Sequence, residues 1–269
     1  MLERTNLGWP ETPFGSVTRP VQKPARWLTG LSLLWGESGD EAVIVGAATV
    51  FMKVHRTRSL LVSANLAHFG YRVLLPDGMG QKPAIVAQLD TLLVQARRKA
   101  QIIAWHNGAD DLRVLQNLPR AGGEPRHPGA DAVAAAWRNR ASRDASTARC
   151  VDTSHDLGPA GLISDTAAAH GVESLDLFVG QRQQASAQEF CEALAAGRSQ
   201  DVHPDALAGS VLSSALTTVL LGGKHARRLH WEEPLSVIDV LSARLNVGVP
   251  GRPSRSRYAP DTGWPGEWW

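Results

Sequence analysis

Thiols are almost missing from this sequence: two cysteines, Cys150 and Cys191, stand in a chain of 269 residues. That scarcity excludes a disulfide framework, and no zinc-type Cys/His spacing surrounds them, so both are expected as reduced core thiols. Charge of one sign is lacking as well. The formal net charge is +2, too small to point to nucleic acid by itself. No apolar run approaches the roughly 20 residues needed to cross a bilayer. The first residues carry acids, prolines and arginines but no apolar centre of a secretion signal, so the cytoplasm is the expected compartment and no membrane partner is foreseen. At this length the chain buries a core without a disulfide or metal staple.

Tryptophan, by contrast, is abundant, with nine copies. Trp35 and Trp105 read as core, whereas Trp264, Trp268 and Trp269 fall in a C-terminal tail rich in Pro, Gly and Arg. The organisation is therefore an extended N-terminal arm over residues 1–28, a main domain over 29–248 and a Trp-rich tail over 249–269. The tail would dock on its own domain, bind a protein partner or stack on bases. Basic stretches at Arg97-Arg98-Lys99, Arg138 to Arg143, Arg227-Arg228 and Arg252 to Arg257 would either contact phosphates or simply face solvent.

Within the main domain, the apolar and partly β-branched run 42–51 predicts a buried strand, followed by strands at 59–64 and 71–75. Helical spacing over 84–99 ends in cations that suit the negative end of a helix dipole. A strand at 101–105, helices at 110–118 and 130–143, a strand at 148–153 and helices at 164–170, 207–221 and 235–245 follow. Strands first, then strands alternating with helices, predict an α/β fold with a mixed sheet.

One segment carries the most chemistry: Ile102-Ile103-Ala104-Trp105-His106-Asn107-Gly108-Ala109-Asp110-Asp111-Leu112. A strand ends in His-Asn, and three residues later Asp-Leu opens a helix. This resembles the second motif of the DnaQ-like, four-acid (DEDD) 3′–5′ exonucleases of the ribonuclease H-like superfamily. Asp152-Thr153 resembles the strand that follows in that family, and Leu162 to Val172 the short helix after it. His203-Pro204-Asp205-Ala206-Leu207 resembles the third motif, which opens the final long helix.

The resemblance implies a ribonuclease H-like mixed sheet flanked by helices. It also implies a two-metal site for Mg2+ or Mn2+, and single-stranded DNA or RNA as the partner. Asp111 and Asp205 would bind metal, with Asp152 as a further ligand and His203 as a base on the attacking water. Asp205 would otherwise serve only to cap its helix. The family's base lies five residues before the third acid, and that position here is Gln200.

The pattern breaks at the first motif, Asp-x-Glu-Thr, whose two carboxylates hold both metals in the family. With Thr49 matched to the threonine, Gly46 and Ala48 stand where the acids belong, and Asp40-Glu41 cannot replace an i, i+2 pair because adjacent strand residues face opposite ways. Hard cations want oxygen ligands, commonly carboxylates. The expectation is an exonuclease-like protein with an impaired or altered metal site. The alternative is an inactive pseudo-exonuclease that binds nucleic acid or scaffolds proteins.

Overall fold

A computed structural model of the chain describes residues 1–7, 27–39, 41–55, 57–119, 127–140, 150–158, 162–173, 179–198 and 204–245. The expected Trp-rich tail, most of the N-terminal arm, His203 and Gln200 lie outside these residues.

Six strands form one mixed sheet: β1 (Leu2–Thr5), β2 (Trp27–Ser38), β3 (Glu41–Lys53), β5 (Phe69–Leu75), β6 (Ala100–Trp105) and β7 (Cys150–Asp152). Their spatial order is β1-β5-β3-β2-β6-β7. The first four positions are antiparallel to their neighbours, while β2, β6 and β7 run parallel. The short strand β4 (Leu60–Leu61) stands outside this sheet and pairs with β9 (Leu229–His230). A second small pair joins β8 (Val172–Glu173) to β10 (Leu235–Ser236).

Helices cover both faces, as the parallel strands require. On one face lie α1 (Lys82–Lys99), α2 (Gly108–Asn117) and α3 (Pro128–Arg138), over a core that includes Leu31, Phe51, Leu89, Trp105 and Trp137. On the other lie α4 (Ile163–Ala169), α5 (Val179–Ala195), α6 (Pro204–His225) and α7 (Val237–Leu245), over Leu28, Val50, Phe190, Val219 and Leu220. Alternation along β2 sends Trp27 and Leu31 to the first core and Leu28 and Leu34 to the second.

Helix α6 is long and apolar enough, by length and composition, to cross a bilayer, although no such run was expected. In this fold it is the central helix of the second core, with 83% of its apolar window buried.

Within the expected extended arm, residues Leu2–Thr5 add an edge strand to β5, and the Met1 amine pairs with Asp77 at 2.6 Å. More important for function, a strand beyond those expected from the apolar pattern, β2, precedes the run 42–51 and lies beside β6. That run is β3, one place further out and antiparallel. Gly46 pairs with Leu34 next to a bulge, where a Cβ would press on Leu75. Ala48 is buried in the α6-side core. Both are packing positions on the face opposite α1–α3, and a carboxylate there would be sunk in hydrocarbon.

Candidate functional site

Strands β6 and β7 end side by side, Trp105 beside Asp152, while β2 pairs with β6 as far as Leu31 and runs on to Ser38; the carboxyl ends of parallel strands are where such sheets place their ligands. Strand β6 runs into His106-Asn107, and Asn107 takes a left-handed conformation with φ 59° and ψ 33°. Its carbonyl accepts the N–H groups of Asp110 and Asp111, both at 3.1 Å, so α2 starts at once. Gly108 follows because its backbone lies hard against Trp137 and Trp105, and a Cβ would overlap the Trp137 ring. This tight turn carries Asp111 into the first turn of α2 with its side chain directed back at the sheet.

There Asp111 meets two tryptophans. The Trp35 indole donates to Oδ1 and the Trp105 indole to Oδ2, each at 2.7 Å. Trp35 projects from β2 and Trp105 from the end of β6. Burial pushes the Asp111 carboxyl from its ordinary 3.8 up to about 7. The two indole donors favour the charged form and pull the other way, while the charges of Asp110 and Asp152 add to the rise. Burial wins.

Trp105 packs edge-on against Trp137, with ring centroids 6.2 Å apart and planes at 82°. Trp137 donates in turn to Asp152 Oδ2 at 3.1 Å. Asp152 Oδ1 accepts the Ser154 hydroxyl at 2.7 Å and its backbone N–H at 3.2 Å. Arg140 stands 4.0 Å from Asp152 and 3.4 Å from Asp156. His106 Nδ1 and Thr153 Oγ1 lie 3.1 Å apart, joining the ends of β6 and β7. Three indoles and two carboxylates thus form one continuous network, buried at Trp105, Trp137 and Asp152 and half-buried at Trp35 and Asp111.

Compared with protein-family models and with curated proteins, the sequence matches none.

The expected site residues divide. Asp111 and Asp152 are brought close enough for the charge of one to raise the pKa of the other. Asp205 is not brought to them by any described contact. It opens α6, on the other face of the sheet, and its exposed carboxylate pairs with Arg4 of β1 at 3.0 Å. Asp110 is also exposed, paired with Arg113 at 3.2 Å. Among the described residues, no three His, Cys, Asp or Glu side chains are grouped as a metal would require.

Sequence reasoning missed Trp35 as a partner of Asp111, and Trp137 as the link to Asp152. The signal for Trp35 was present: Leu28, Leu31, Leu33 and Trp35 precede a Gly-Asp turn at Gly39 and Asp40, marking a strand before the one assigned. Trp137 had no local signal, since its partner Asp152 lies on another element, 15 residues on.

Proposed function

We propose that this chain is a ribonuclease H-like domain of the DnaQ type that has lost its two-metal centre and binds single-stranded nucleic acid without trimming it. The mixed sheet with helices on both faces supports the fold. The His106-Asn107 turn ahead of Asp111, Asp152-Thr153 on the next parallel strand, and the apolar helix opening at Asp205 support the descent.

One observation carries the loss of the centre: both oxygens of Asp111 are engaged by indole N–H groups. On β2, the strand adjoining β6, Leu33 and Trp35 face the same side as Asp111, so an apolar residue and an indole stand where a pair of acids would meet it. Asp152 is likewise surrounded by Trp137, Ser154 and Arg140. This donor set does not fit a pair of divalent cations, which need open carboxylate oxygens and solvent-filled positions. Mg2+ or Mn2+ at Asp111 would have to share each carboxylate oxygen with an indole N–H.

The test uses 3′-labelled single strands of DNA and RNA incubated with the protein and Mn2+, beside an Asp111→Ala/Asp205→Ala variant. The expected result is no shortening by either protein and salt-sensitive binding by both. Shortening by the wild type alone would restore the metal-dependent exonuclease.

A further inference from the structure

Two basic stretches far apart in the sequence finish side by side in the fold. Helices α1 and α3 are held in register by the buried Asp90, whose Oδ1 accepts the N–H groups of Gly129 and Ala130 at 2.9 Å each. Gly129 permits this contact, because a Cβ would overlap the Asp90 carbonyl. From there the two helices run the same way, so their last turns flank one groove. Arg97 lines one side, Asn139 and Arg140 the other, with alanines of α3 and Cys150 between them.

The charges around this groove are unequal. Arg140 is neutralised by Asp156 and Asp152. Arg97, Arg98 and Arg138 make no hydrogen bond or ion pair among the described residues. No Asp or Glu occurs in residues 91–101 or 132–143, and Asp90, Asp131 and Asp144 flank these windows in the sequence. Two helix C-termini together offset roughly one positive charge. Of these three, Arg97 lines the groove and the exposed Arg98 and Arg138 stand on the same last helical turns; together they exceed that offset and leave this end of α1 and α3 cationic among the described residues.

We propose that this groove and its arginine rim hold the phosphate backbone of a single-stranded nucleic acid. This rests on the binding function proposed above and gives it a location. Arg140 on the groove wall also stands 4.0 Å from Asp152, so the groove reaches the Asp152 side of the indole network. Guanidinium forks match phosphate oxygens in pairs, and a row of such cations suits a chain of phosphates better than a single one.

The experiment is fluorescence anisotropy of labelled oligothymidylate and oligouridylate of about 20 nucleotides, long enough to span the site. Wild type is compared with an Arg97→Ala/Arg98→Ala/Arg138→Ala variant across a salt series. Each phosphate contact contributes about 0.7 to the slope of log K against log salt on single strands, so the variant should lose about two units of slope and at least about tenfold in affinity at low salt. The corresponding triple Lys variant should keep most of the slope, and matching circular dichroism shows that all three are folded. A wild type that binds while the Ala variant keeps its slope and affinity overturns the groove alone. A wild type that binds neither oligomer overturns the broader binding function as well. Binding of tripolyphosphate without either oligomer would also overturn the proposal, leaving a site for small phosphates.

Discussion

Asp111 and Asp205 occupy the same local setting, an acid in the first turn of a helix, and the fold treats them in opposite ways. Asp111 is wrapped by two indoles and pushed up to about 7. Asp205 stays exposed, with one arginine beside it. The helix dipole favours a carboxylate at both places by similar amounts. What separates them is the element that each helix start faces. Helix α2 begins at the crevice between parallel strands, so its first turn is pressed onto β2 and β6. Helix α6 begins at the β1 edge, where its first turn meets solvent. A shared motif position therefore does not give a shared chemistry.

The comparison is broken most forcefully at the tryptophans. Trp105 is fully buried, and Trp105→Ala removes both a large apolar side chain and a donor to Asp111. The expected loss is about 3–5 kcal/mol in urea unfolding, the range for large aromatic truncations. A loss within the range of surface substitutions would mean that the indole network does not hold the site.

The next effect is one of pH. Folding raises the Asp111 pKa from 3.8 to about 7, so its contribution to stability is fully present below about pH 4 and is lost as the pH rises to about 7. Above that it is constant. At about 1.4 kcal/mol per pH unit, the change is on the order of 4 kcal/mol. Asp111→Asn should remove this pH dependence, so the stability difference between variant and wild type should shift by that amount between acid and mildly alkaline pH. A constant difference would mean that the carboxyl titrates normally.

A smaller effect is expected at Asp90, which caps α3 from within α1. Asp90→Ala should cost about 1–2 kcal/mol, as removal of a helix cap does. The smallest belongs to Asp205→Ala, within about 0.5 kcal/mol of the wild type because its ion pair is exposed. Thermal melts of the two variants side by side check this ranking. A cost at Asp205 equal to that at Asp90 would reveal a role that the Arg4 pair does not explain.

Much of the α/β order was legible because periodicity and turn residues are local. The helices at 82–99 and 204–225, the strand at 100–105 and the His-Asn turn before Asp111 all declare themselves within a few residues. Two things were not legible. Strand β2 carries Gly30, Ser32 and Gly36 among its leucines, which dilutes the apolar run, so the sequence pattern points to β3 as the first strand instead. The setting of Asp111 was hidden as well, since it depends on Trp35 and Trp105, from paired strands, reaching the same carboxylate. Long-range pairing places those two indoles, and no local pattern encodes it.

The central claim is that Asp111 belongs to its indoles and not to a metal. The most direct measurement follows the indole N–H resonances of Trp35 and Trp105 by NMR while Mn2+ is added to saturation. The account predicts that both signals keep their widths and positions, in wild type as in Asp205→Ala. Paramagnetic broadening of both signals in the wild type, abolished by Asp111→Asn, would contradict it and return Asp111 to a metal centre.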